Sequence, residues 1–110
     1  MTEMKAVRFV GSAREDLTAF PDLARQRAGY ELFMVQVGRE PSDFKPMPEV
    51  GAGVHELRVH DRAGAFRVIY VARLEEAVYV LHAFQKKTPK TSRLDIEVVR
   101  RRYRLIGVKS

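Results

Sequence analysis

Three strand signals follow one another with barely room to turn between them, and this limits the chain more than any other feature. Val54-His55-Glu56-Leu57-Arg58-Val59-His60 alternates, with Leu57 and Val59 on one side and Glu56, Arg58 and His60 on the other. Asp61-Arg62-Ala63-Gly64 is a turn, and the next strand runs from Ala65 to Arg73. Leu74-Glu75-Glu76 turns again into Ala77-Val78-Tyr79-Val80-Leu81-His82-Ala83-Phe84. Parallel neighbours need a long crossover, so connections this short dictate an antiparallel meander. The later two strands are apolar on both faces, as buried central strands are.

The flanking segments are helical. Met4 to Val10 reads as a short strand that Gly11 breaks. Ser12-Ala13-Arg14-Glu15 has the form of a capping box, with Ser12 as N-cap, opening a helix to about Phe20. Pro21 suits the first position of a second helix, which runs to about Val37 and stops at Gly38. Leu23, Ala24, Ala28, Leu32 and Val35 form its inward stripe, Glu31 points elsewhere, and Gly29 offers room for close approach of the sheet. Arg39 to Gly53 holds three prolines and two glycines and reads as a loop, tacked to the core through Phe44 and Met47. Ser92 caps a last helix whose inward stripe is Leu94, Ile96, Val98, Val99, Tyr103 and Ile106, with the arginines outside. The expected fold is α+β, a single domain over residues 1–110, with an antiparallel sheet in the order strand, two helices, three-strand meander, helix.

Charge is concentrated where the meander ends. Between Gln85 and Arg104 there are eight Lys or Arg residues and two acids, while the remaining residues carry twelve of each sign. The whole formal charge of +6 therefore sits in one strand-to-helix junction. Such a field attracts polyanions, of which a phosphate backbone is the commonest; a solvated helix face is the other reading. The chain has no cysteine, no apolar leader and no apolar run long enough to span a membrane, which fits a cytoplasmic protein.

No glycine-rich phosphate loop or metal-binding spacing is present, so the expected chemistry is metal-independent and without cofactor, or absent. His82, mid-strand among apolar neighbours, is either a satisfied core group or a general base. Arg67 lies in a strand otherwise built of Phe66, Val68, Ile69 and Val71, a costly place for a charge unless it is paired or faces a cleft. Lys86 and Lys87 end the neighbouring strand, and Arg58 and His60 lie near the end of a third. If the strand ends converge, these groups form one cluster able to bind a phosphate and stabilise its extra transition-state charge.

The runs Phe66-Arg67-Val68-Ile69-Tyr70 and His82-Ala83-Phe84-Gln85-Lys86-Lys87-Thr88-Pro89-Lys90-Thr91, with the basic helix ending Arg100-Arg101-Arg102-Tyr103, resemble the RelE/ParE toxin superfamily. Within it, the sequence is most similar to the phage-derived, HigB-like branch. The resemblance implies the toxin of a type II toxin–antitoxin pair, a ribosome-dependent endoribonuclease in which the ribose 2′-hydroxyl attacks the adjacent phosphate. It assigns phosphate binding to Arg67, basic roles to Lys86, Lys87, Arg58 and His60, and RNA contacts to Thr88, Lys90, Thr91, Arg93, Arg100 and Arg101. RelE-type members often place an acting tyrosine or histidine after the last strand. No histidine follows His82 here, so His60, His82 and Tyr70 are the proton-transfer candidates. The implied partners are the ribosome, mRNA and a HigA-like helix-turn-helix antitoxin. Two alternatives stand beside this reading: a non-catalytic, gyrase-inhibiting ParE-like toxin, and a nucleic-acid-binding module.

Overall fold

A computed structural model describes residues 4–72 and 75–107. Arg73 and Leu74, which the sequence assigns to a strand end and a turn, lie outside the described residues, as does the start of the chain. The elements run β1 (Ala6–Phe9), α1 (Ala13–Thr18), α2 (Asp22–Gln36), β2 (Phe44–Pro46), β3 (Val54–Asp61), β4 (Gly64–Val71), β5 (Ala77–Lys86) and α3 (Arg93–Leu105). They build one sheet in the order β1-β5-β4-β3-β2.

The meander β3-β4-β5 is antiparallel as its turns require. Its first turn leaves only Arg62 and Ala63 between the paired Asp61 and Gly64. Gly64 takes a φ of 134°, open to glycine alone, and the Asp61 carboxylate accepts from Ala63 N at 3.0 Å. Two features differ from the expected sheet. The edge strand β1 pairs with β5 in parallel, from Ala6 opposite Ala77 to Phe9 opposite Val80. Most of the chain lies between them, so length leaves either direction open. The Arg39–Gly53 segment is not all loop: Phe44–Pro46 adds β2 to the free edge of β3. Pro46 and Pro48 keep that edge strand short, and Met47, Gly51 and Tyr103 fasten the turn beyond it to the core. A side chain on Gly51 would run into the Tyr103 ring, and Tyr103 Oη donates to Ala52 O at 2.9 Å.

Two cores form, one on each face of the sheet. Leu57, Val59, Phe66, Val68, Tyr70, Val78, Val80 and Ala83 face α1 and α2, where Phe20 packs on Phe66 with ring centroids 4.7 Å apart. Val54, Ile69, Val71 and Leu81 face α3 and meet Val99 and Tyr103. The switch between faces along β5 comes from a bulge. Ile69 pairs with His82 but Tyr70 pairs with Val80, so Leu81 is an extra residue. Strict alternation would put His82 beside Val78 and Val80 under α1 and α2. The bulge turns it to the α3 side.

The helices depart from their expected details in instructive ways. Ser12 makes no capping bond to the backbone; its hydroxyl donates to Asp16 instead, and α1 ends at Thr18. Pro21 is the N-cap of α2, one position earlier than expected. Leu23 is exposed, while Glu31 is buried because its carboxylate accepts from both N and Oγ of Ser42. Gly29 meets nothing, so it makes no close approach. On α3, Ser92 caps as expected, accepting from Asp95 N at 3.1 Å, but Leu94 is exposed. Arg102 turns inward and donates to Leu81 O and Ser12 Oγ.

Candidate active site under the last helix

The register of the meander fixes which polar side chains share a face. Residues paired across antiparallel strands point the same way, so Arg58 and Arg67 stand side by side on the α3 face. Lys45 joins through its pairing with Glu56, and Lys86 through its pairing with Ala65. The turn before α3 folds back over this face. Together Lys45, Glu56, Arg58, Lys86, Lys90 and Thr91 line a cavity of about 310 Å³, with Pro89 and Ile96 closing it.

At its floor is a buried carboxylate. Glu56 is 4% exposed. Its Oε1 lies 3.3 Å from Arg58 Nε and 3.7 Å from Arg67 Nε, and its Oε2 accepts from Thr91 Oγ1 at 3.2 Å. One carboxylate thus faces two guanidiniums; the three lysines add to the positive charge, and Glu49, which also lines the cavity, offsets part of it. Arg67 is 6% exposed; its Nη1 donates to Phe66 O at 3.1 Å, but its Nε has no hydrogen-bond partner among the described residues. Burial lowers the proton affinity of Arg67, and Glu56 opposes that shift. A guanidinium stays charged even so, and one left short of partners is a ready donor to an anion. Of the two readings, the pairing is the one seen: Arg67 lies 3.7 Å from Glu56 and is not itself among the residues lining the cavity.

The remaining sequence candidates divide by position. Lys87 and Thr88 are exposed and line an adjoining 200 Å³ hollow with Lys86, Lys90, Ser92 and Asp95. Arg93 pairs with Glu97 on the open side of α3, Arg100 reaches Glu49 O, and Arg101 is exposed. His60 projects at the far end of β3, 3.5 Å from Asp43, in a separate open groove that shares Arg58 with the first. His82 is 8% exposed, with its Nε2 2.7 Å from Asp95 Oδ1. Tyr70 is misplaced by the sequence reading: it lies on the opposite face, in the core under α2, where burial raises its pKa. It cannot reach the cavity through the sheet. Two residues were missed. Glu56 carried a signal, since it alternates with Arg58 and His60, but nothing local showed that it is buried. Lys45 carries none, because the prolines and glycines around it give its segment the composition of a loop. Among the described residues, no group of three or more His, Asp or Glu is placed to hold a metal ion.

The family model described as "Phage derived protein Gp49-like" matches residues 15–104, which include every residue of the cavity. The chain belongs to this Gp49-like family. A search of curated proteins finds no match. Among solved structures, the Gp49-like chain is similar to the toxin–antitoxin complex RelBE2 from Mycobacterium tuberculosis. The identity is 24% over 78% of this chain and 95% of that one, with a TM-score of 0.52. That likeness gives the Gp49-like chain the RelE-like α+β fold that its sequence suggested.

Proposed function

We infer that this Gp49-like protein is the toxin of a toxin–antitoxin pair and cuts messenger RNA at the ribosome without a metal ion. The observation that carries the reading is the Glu56 carboxylate held between Arg58, Arg67 and Thr91 in a cavity ringed by lysines. The fold shared with a toxin–antitoxin complex supports it.

The chemistry rests on the donor set. A scissile phosphate binds Arg67 and Arg58, whose charge also offsets the growing charge of the pentacoordinate transition state. Glu56 accepts the proton of the ribose 2′-hydroxyl as that oxygen attacks phosphorus. The P–O5′ bond breaks, leaving a 2′,3′-cyclic phosphate and a 5′-hydroxyl, and the departing oxygen takes a proton from the Lys86 ammonium. Lys90 and the exposed Lys87, Arg93, Arg100 and Arg101 hold the RNA backbone on either side. This moves proton abstraction from the histidines to Glu56, since His82 is engaged by Asp95 and His60 stands in a different groove. The partner that silences the toxin is an antitoxin, of HigA-like helix-turn-helix type, whose acidic or apolar segment covers the basic cavity.

The test is induction of the wild-type chain beside Glu56→Gln and Arg67→Ala, with mRNA 5′ ends mapped. Both variants should lose arrest and cutting, with rates down by about a hundredfold or more. Persistent cutting by Arg67→Ala would overturn the assigned centre. The exposed Leu94 and Leu105 among the α3 arginines favour a second reading, a macromolecular docking helix of the gyrase-inhibiting kind. Arrest with no new 5′ ends and with reduced topoisomerase activity would select it.

A further inference from the structure

The start of α3 is fastened to the sheet at two points, and only one lies in the candidate site. Lys45, Glu56, Ile69 and His82 stand in one row across β2, β3, β4 and β5. Adjacent strands are about 4.8 Å apart, so Glu56 and His82 flank Ile69 with roughly 10 Å between their backbones. Thr91 Oγ1 reaches Glu56 Oε2 at 3.2 Å on one side, and Asp95 Oδ1 meets His82 Nε2 at 2.7 Å on the other. Ser92 joins the two: its hydroxyl donates to Asp95 Oδ2 at 2.6 Å and accepts from Asp95 N at 3.1 Å, and its neighbour in the chain is Thr91. The contacts run without a gap from His82 through Asp95 and Ser92 to Thr91 and Glu56.

His82 fits a holding role better than a catalytic one. It is 8% exposed, and its Nδ1 has no partner among the described residues, so its one polar contact is Asp95. The bulge at Leu81 aims it at α3. The carboxylate it serves has unequal oxygens. Oε1 is shared by two guanidiniums, whereas Oε2 has Thr91 alone. Without the threonine hydroxyl, Oε2 is free to swing toward Arg58 and Arg67 and form a closer ion pair, which takes it away from a 2′-hydroxyl.

We propose that His82 is a positioning residue that acts through Asp95 and Ser92 to fix Thr91, whose hydroxyl orients Glu56 for proton abstraction. This rests on the nuclease reading, with Glu56 as base. Substrate binding belongs to the arginines and lysines, so loss of the latch lowers kcat and leaves KM in place.

The experiment compares the wild type with His82→Phe, His82→Gln, Asp95→Ala, Thr91→Val and the His82→Phe/Thr91→Val double variant. Three-bond NMR couplings of Thr91 report whether its side chain keeps one rotamer, independently of activity. One rotamer is expected in the wild type and in His82→Gln, whose amide can still donate to Asp95, and rotamer averaging in His82→Phe and Asp95→Ala. In cleavage assays, His82→Phe and Thr91→Val should each lose about tenfold in kcat, His82→Gln should recover it, and the double variant should lose no more than either single one. If His82→Phe does not fold, Asp95→Ala cuts the same link from the helix side. A Thr91 that stays fixed in these variants, or losses that multiply in the double variant, would overturn the proposal. A wild-type chain that cuts no RNA would sink the nuclease reading instead, while the couplings would still decide whether the latch exists.

Discussion

His55 shows how a single side chain carries information about its surroundings. It sits on β3 with its ring 5.4 Å from that of Phe44 and 5.6 Å from that of Tyr70. Burial lowers its pKa below the ordinary 6.5, with Glu40 only partly opposing. As pH falls through 6.5, the unfolded chain takes up this proton before the folded one does. Stability from this site is therefore whole above 6.5 and declines as pH drops toward the lower folded value. Tm of the wild type should fall more steeply than that of His55→Phe between about pH 7.5 and 5.5, measured by thermal circular dichroism. Parallel curves would show that His55 is not the group responsible. Glu56 and Glu31 are the other lesson at this scale. Both are charged residues that a sequence places on the surface, and both are buried because partners from distant elements satisfy them: Thr91 and Arg67 for one, Ser42 for the other.

Among the elements, α3 determines whether the site exists. Its inner face presents Val99 and Tyr103 to the sheet, and its N-terminus is set by the Ser92 cap. The sequence showed this helix and its cap, because both signals are local. It did not show that the turn before it folds over β3 to bring Lys90 and Thr91 against Glu56. Ser92→Ala removes a capping bond and should lower stability by about 1 kcal/mol, and Tm by about 4–8 °C, read from a thermal melt. Proteolysis should then open the 86–92 turn sooner than in the wild type. An unchanged melt would mean that the inner face of α3, and not its cap, sets its position.

Taken as a whole, the molecule keeps its charge and its helices α1 and α2 on different sides. The apolar sides of α1 and α2 are spent on one face of the sheet, and the other face carries the cavity, α3 and the arginines of that helix. An RNA strand meeting this surface replaces counterions at each phosphate contacted. Binding of a single-stranded RNA with a 2′-deoxy block at the cut site should weaken with salt, and Arg100→Ala/Arg101→Ala should reduce the log–log slope by about 1.4. A slope unchanged by the double substitution would take α3's outer face off the RNA path.

By itself the sequence determined the meander, the two helices before it, the capped basic helix after it and the confinement of net charge to their junction. Each is written in spacing over a few residues, where a period of two or of three to four needs no knowledge of the rest of the chain. Only the tertiary structure decided that β1 runs parallel to β5, that Leu81 is an extra residue turning His82 toward α3, and that Tyr70 lies on the wrong face for chemistry. It also decided that Lys45, Glu56, Arg58, Arg67, Lys86 and Thr91 meet. Those facts depend on strand register and on which surfaces touch, and register is fixed by packing between residues far apart in the chain.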